Sequence, residues 1–441
     1  MKNVKLSKLW DSLHSSYWFI PTLMAVGSMI LAIAMLRIDR TGNTPNWRWI
    51  YTGGADGARA VLSSVAGSMV SVVATAFSIT IVALQLASSN FGPRLLRNFM
   101  QDTGNQIVLG TFIATFIYCL LVLRTIHTGG EGYSVFVPQL SVTVGTGLAI
   151  VSIGVLIYFI HHASTIIQAS HVITQVSGDL DKALDRLFPG KIGEGKANNS
   201  PQVGEIPPNF DSEARPIKAT GEGYLQAIDD DELMKIARQY NLLVRLTTRP
   251  GKFIVKGSDV AMVFPEKEVN QRLNVQINDA FILGQERTEY QDIKFPIDQL
   301  VEIALRALSP GINDPFTAIR CIDRLSAGLS RLAERDFPSP YRYDDEQHLR
   351  VIVQGMTFEW LIDAAFNQIR QSSKSNVAVT IRLLEALACI ATYTRNSKQR
   401  EALRRHAERI LNSSSEQISQ DQDQKDVQER YHQVIKALRQ D

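Results

Sequence analysis

Cysteine is scarce in this chain: Cys119, Cys321 and Cys389 are the only three in 441 residues, and they lie far apart. That spacing argues against a disulfide framework or a thiolate metal centre, and all three read as buried thiols. An excess of one charge is missing too. Lys+Arg total 46 against 44 Asp+Glu, and no basic run is interleaved with aromatics, so nucleic acid is not an expected partner. No Ser/His/Asp set, carboxylate pair or Cys/His spacing is legible; no catalytic residue, metal or cofactor is assigned, and nothing demands an enzyme. The most informative absence is local. Val61–Ala87 contains no charged residue in 27 positions.

An apolar run of that length reads as a transmembrane helix, because the hydrocarbon core of a bilayer takes ~20 helical residues. Its composition is not that of a plain anchor. Ser64, Ser68, Ser71, Thr75, Ser78 and Gln85 recur at steps of four and three, broken only by Val82, and so share one helix face. Ala60, Gly67 and Ala74 form a neighbouring seam of small residues that would admit a second helix closely. Two readings stay open: a packing seam between helices, or a stripe facing water in a pore. In the second reading the opposite face, with Val73 and Ala76, meets lipid.

Three further apolar runs, 18–36, 107–123 and 140–160, complete four predicted spans within residues 1–160 and put both termini on one side. Residues 1–160 carry ten Lys+Arg against five Asp+Glu, and the remainder 36 against 39. Lys2, Lys5 and Lys8, with Arg94 and Arg97 and the large thiol-bearing C-terminal part, favour cytoplasmic termini. After the second span, Pro93–Met100 reads as a short amphipathic surface helix.

Residues 161–188 form a helical stalk with a heptad seam of Ile166, Ala169, Ile173, Val176, Leu180, Ala183 and Leu187. The seam needs a partner, either a sister subunit, which is favoured, or the chain's own helical domain. Residues 189–222 read as a flexible linker rich in Gly, Pro, Asn and Glu. A small α+β module follows over 223–265, its helix capped at Asp229–Asp231. Residues 266–412 form an α-helical domain, and 413–441 a polar tail with a surface or frayed helix. The expected fold is an α-helical polytopic membrane protein with four transmembrane helices, its cytoplasmic part made of the α+β module and the helical domain.

Gly190–Lys196, GKIGEGK, has the spacing of a phosphate-binding loop, but Ala197 replaces the required hydroxyl and no helix pattern follows, so no nucleotide site is assigned. The densest polar feature of the soluble part joins ERTEYQD to LSPGINDPFTAIRCIDRL. Asp314 suits a helix N-cap, Pro315 the first helical position and Asn313 the preceding turn. Beyond this punctuation, Glu286, Arg287, Asp292, Arg306, Asn313 and Asp314 are candidates for a buried polar network at a subunit junction or ligand cleft. The adjacent His161 and His162 read as interfacial groups at the end of the fourth span.

The second span running into ATAFSITIVALQLASSNFGPRLLRNF, the GYLQAID segment and ERTEYQDIKFPIDQLVEIALRALSPGINDPFTAI resemble an uncharacterised bacterial family of predicted membrane proteins, domain of unknown function 2254. The resemblance implies a bacterial inner-membrane protein and transfers no catalytic residue. From the residues themselves, the leading expectation is a homo-oligomeric channel or transport protein for a small ion. Ser64, Ser68, Ser71, Thr75, Ser78 and Gln85 would line its path, and the bilayer and sister subunits would be its partners. The alternative is a membrane-anchored signalling or scaffold protein without a pore.

Overall fold

The structure is a computed structural model that describes residues 18–41, 48–92, 102–128, 135–166, 168–188, 206–266 and 269–439. The chain divides into two compact units, Met1–His171 and Val172–Asp441. The phosphate-loop-like stretch 190–196 and the surface-helix stretch 93–100 lie outside the described residues.

The first unit contains α1 (Phe19–Thr41), α2 (Ala55–Phe91), α3 (Thr103–Leu123) and α4 (Gln139–Ile166), all long and apolar enough to cross a membrane. The third is the hub, packing against the other three, and half of its apolar stretch is buried. Small residues bring the helices close. A Cβ at Gly145 would stand 2.9 Å from Leu62, and one at Gly110 only 3.3 Å from the Pro21 backbone. Leu62, Ala66, Tyr118, Cys119, Val122 and Val142 fill one half of the core; Met69, Ala76, Val108, Phe112 and Phe159 fill the other.

Helix ends are tied by polar groups, since end N–H and C=O groups lack intrahelical partners. Asp39 closes α1 onto the start of α4, accepting hydrogen bonds from Leu140 N at 3.0 Å, Ser141 N at 2.9 Å and Ser141 Oγ at 2.6 Å. Arg59 donates to the Ile126 carbonyl at 2.7 Å. At the opposite helix ends Asp102 caps α3 through Asn105 N and meets His162 Nε2 at 2.7 Å, with Tyr158 stacked on the imidazole. His162 is thus tied into the bundle, beyond the interfacial role that its position alone indicates.

The second unit begins on α5 (Ala169–Leu187). After the helical turn α6 (Phe210–Glu213) come β1 (Arg215–Lys218), β2 (Gly223–Ile228), α7 (Asp230–Gln239), β3 (Leu243–Leu246), β4 (Phe253–Ile254), β5 (Asp259–Phe264), α8 (Gln271–Asp279) and β6 (Phe281–Gly284). Then follow α9 (Lys294–Ala307), α10 (Pro315–Ala333), β7 (Tyr341–Tyr343), β8 (Leu349–Ile352), α11 (Phe358–Ser372), α12 (Val377–Ala391), α13 (Ser397–Ser415) and α14 (Asp421–Leu438). Two sheets form, in orders β1-β5-β3-β8-β7 and β4-β2-β6. All pairings are antiparallel except β3 with β8. Ile217, Leu225, Leu233, Ile236, Val244, Val263 and Ile277 are among the residues of their common core.

Side-chain caps set the helix starts. Asp229, Asn270, Asp314, Thr357, Asn376 and Asn396 each accept from the backbone N–H three residues on. The α+β part is larger than residues 223–265. The first strand lies inside the stretch expected to be a linker, and β6, β7 and β8 come from the stretch expected to be wholly helical. The physical reason is that they are short and non-local: β8 pairs with β3, about a hundred residues earlier, and local periodicity carries no trace of such pairing. The C-terminal helix is packed rather than frayed. Val427 and Val434 are buried, and Arg430 pairs with Glu385 at 3.1 Å.

The expected pairing of the stalk seam with a sister subunit is overturned. Ile173, Val176, Leu180, Ala183 and Leu184 are buried inside the single chain, and α10 of the same unit packs against Leu180 and Leu184. A Cβ at Gly328 would lie 2.7 Å from Leu180 Cδ2. Arg331 pairs with Asp181 and, at 2.9 Å, with Asp185. Arg335 pairs with Asp185 at 2.5 Å and donates to the Leu184 and Phe188 carbonyls at 2.8 and 2.6 Å. The side chain of Ile166 lies outside the described residues.

Candidate functional site

The two faces of α2 differ sharply. Ala58, Leu62, Ala66, Met69, Ala76, Thr80 and Ala87 are buried in the bundle, and at 3.6 residues per turn they fall on one side of the helix. The opposite side carries Ser64, Ser68, Ser71, Thr75, Ser78 and Gln85 with Ala60, Gly67 and Ala74, and every one of these is exposed in the single chain. A Cβ at Gly67 would meet nothing within 4 Å. The helix has 37 residues, or ~55 Å, and outreaches the ~30 Å hydrocarbon core.

Hydroxyls on this face bond to their own helix. Ser68 donates to Val65 O at 2.9 Å, Ser71 to Gly67 O at 3.4 Å, Thr75 to Ser71 O at 2.9 Å and Ser78 to Ala74 O at 2.9 Å. Each donor is therefore satisfied while the oxygen keeps a lone pair facing outward. The expectation that Val73 and Ala76 meet lipid is corrected. Ala76 is 2% exposed, packed with Met69, Val108, Phe112 and Phe159, and Val73 is half-buried against the same cluster. The exposed apolar flank is instead at Val70 and Phe77.

Of the candidates in the second unit, the structure gathers Arg287 and Asp292 and adds Lys294 and Asp298, which residue spacing alone did not single out. The Arg287 guanidinium donates to Asp292 Oδ2 through Nε at 2.9 Å and through Nη2 at 2.6 Å, and its Nη1 reaches Asp298 at 2.7 Å. Lys294 Nζ closes the circuit on both Asp298 oxygens at 2.5 and 2.6 Å. Asp292 is buried; burial pushes its carboxyl up and Arg287 pulls it back. Gly251, at φ +88°, lies so close that a Cβ would stand 2.1 Å from Asp292 Oδ2, and the same turn lays Arg249 over the Trp360 ring at 3.8 Å. Gln291 bonds both the N–H and the carbonyl of Ile228 at 2.8 and 2.9 Å, fastening β2 to this loop.

The other candidates have separate tasks. The Glu286 side chain is exposed, and only its carbonyl is used, accepting from Gln226. Arg306 lies 3.6 Å from Glu302, one turn back on α9. Asn313 takes a left-handed turn at φ 49°. Asp314 accepts from Thr317 N at 3.1 Å and from the Thr317 hydroxyl at 2.6 Å, and that hydroxyl holds its carboxyl below the usual range. The Arg287 circuit is a structural clamp without a nucleophile. The i,i+4 spacing of Lys294 and Asp298 was a usable signal for its extension; Gly251, about forty residues earlier in a turn, gave none. Among the described residues no group of three His, Cys, Asp or Glu side chains could hold a metal ion.

Four apolar helices followed by a mixed unit of helices and small sheets define a polytopic membrane protein. The chain belongs to the family described as predicted membrane protein (DUF2254), which matches residues 14–389. It is 31% identical over 422 residues to uncharacterized protein Mb1321c of Mycobacterium bovis, covering 94% of this chain and 79% of that one. Uncharacterized protein Rv1290c of Mycobacterium tuberculosis has the same identity and coverage. No solved structure matches.

Proposed function

We propose that the protein is a homo-oligomeric channel or transport protein of a bacterial inner membrane, with termini in the cytoplasm and copies of α2 lining a path for a small ion. The observation that carries this reading is the outward face of α2. It presents five hydroxyls, a carboxamide and three small residues on the side that the chain's own bundle leaves exposed. Small residues let copies of the helix approach, and outward lone pairs replace part of an ion's hydration without a fixed charge to trap it. Lysines at the N-terminus and the thiol-bearing soluble unit support the orientation. A second reading, a scaffold in which this face only packs, is favoured by the bonds that Ser68, Ser71, Thr75 and Ser78 donate to their own helix.

Thiol accessibility separates the two. Single cysteines at Ser71 and Thr75 should react with a membrane-impermeant thiol reagent, whereas cysteines at Val70 and Phe77, held in lipid, should not ionise and should stay protected. Protection at all four positions would favour the scaffold.

A further inference from the structure

Helices α11 and α13 meet along a face whose charges balance at one end and not at the other. At the start of α11, Glu359 pairs with Arg405. Asp363 accepts from Arg405 Nη2 at 2.9 Å and from Asn367 Nδ2 at 3.2 Å, and it lies 2.7 Å from His406 Nε2. Two turns further along α11 the pattern changes. Arg370 comes within the field of Arg409, which stands one turn past Arg405 on α13, and that arginine is the charged group acting on it. Among the described residues neither guanidinium makes an ion pair or a hydrogen bond.

Buried polar atoms without a partner gather on the same two helices. They are Asn367 Oδ1, Arg370 Nε, Arg405 Nε and His406 Nδ1, with Ser373 Oγ at the end of α11. Burial and Arg409 together hold the Arg370 guanidinium below its ordinary range. Folding thus brings two like charges together and leaves an N–H donor buried without an acceptor, and both features cost stability. A favourable interaction with the C-terminal end of α11 accounts for an arginine in its last turn. It does not account for the buried Nε, nor for the approach of Arg409 from the middle of α13.

An anion between the two side chains removes both costs. The Nε edge of a guanidinium offers two parallel N–H donors that match a pair of phosphate or carboxylate oxygens. Charge decides between these two classes. A phosphate group carries about −1.5 to −2 at pH 7 and so offsets both arginines, whereas a carboxylate offsets one. Arg409 is exposed, which opens the pair to solvent. Ser373, one turn past Arg370 and 1% exposed, adds a hydroxyl beside it.

We propose that Arg370 and Arg409 form a binding site for a phosphate-class oxyanion taken from solution and held between α11 and α13. The anion joins the two helices through their arginines, as Asp363 joins them two turns earlier.

The full-length protein in a non-ionic detergent, with no added phospholipid, tests this with inorganic phosphate as the probe. Phosphate should bind saturably in equilibrium dialysis against chloride of matched ionic strength, and should raise the denaturation midpoint above that in chloride. Arg409→Gln, at an exposed position, should weaken binding ~10-fold or more. Its midpoint without phosphate should be unchanged or higher, because a repulsion is removed. Arg409→Glu sets a carboxylate beside Arg370; it should raise the phosphate-free midpoint and abolish binding. The general stabilising effect of phosphate on folded proteins persists in both variants, so the difference from the native protein is what is read. Absence of saturable binding overturns the proposal, and so does equal binding by the native protein and Arg409→Gln. A phosphate-free midpoint lowered by Arg409→Glu overturns it as well.

Discussion

Two helix faces in this protein look alike in sequence and end differently. The α5 seam and the α2 stripe each repeat at helical spacing, and each reads as a surface awaiting a second subunit. The seam meets α10 of its own chain, with Leu180 against Gly328 and Arg331 and Arg335 holding Asp185 beside it. The stripe is exposed along its whole length. Periodicity announces that a face exists; what covers it depends on long-range topology. The same division governs polar groups. In the second unit Arg287 bonds Asp292 and Asp298, whereas Ser68, Ser71, Thr75 and Ser78 of α2 bond to their own helix.

The comparison is broken most severely at the clamp. Asp292→Ala removes the buried partner of Arg287 and should cost about 3–5 kcal/mol of the second unit's stability, read as a lowered denaturation midpoint in the detergent-solubilised protein. Next, Leu180→Ala opens a cavity under α10 and should cost 2–5 kcal/mol without changing oligomer mass. A change of mass by light scattering would show that the seam also joins subunits.

A smaller effect concerns pH. His406 is fully buried, its Nε2 lies 2.7 Å from Asp363, and burial holds its pKa below the ordinary 6.5 despite that carboxylate. The folded unit therefore keeps His406 neutral while the unfolded chain takes up the proton. This stability is present above pH 6.5 and drains as pH falls below it. Asp363, itself held below its ordinary 3.8, acts only in more acidic solution. Melting between pH 7 and 5 should fall in the native protein and flatten in His406→Asn. The smallest effect is at the cap: Asp314→Ala should cost ~1 kcal/mol and Asp314→Asn almost nothing.

Four apolar helices, the cap at Asp314 and the shared face of Ser64 to Gln85 were legible because each is written in consecutive residues at helical spacing. Three things were not. The cover of Leu180 lies some 150 residues away at Gly328; β7 and β8 are three and four residues long and pair across the chain; and Gly251, whose turn lies against Asp292 of the clamp, is about forty residues before it. Each is set by tertiary proximity, which residue spacing does not encode. The clamp was legible in part, since Arg287 and Asp292 lie five residues apart, and the remaining candidates near it serve as turn, cap and surface.

The most direct test of the central claim is ion flux from liposomes containing the native protein and the variant with Ser71→Ala and Thr75→Val. Hydroxyl bonds between membrane helices are worth only ~0.6 kcal/mol, so assembly should persist, while two apolar rings in a path invite dewetting and block passage. The account predicts flux through the native protein and a marked loss in the variant at unchanged oligomer mass. No flux from the native protein, or equal flux from both, would contradict it.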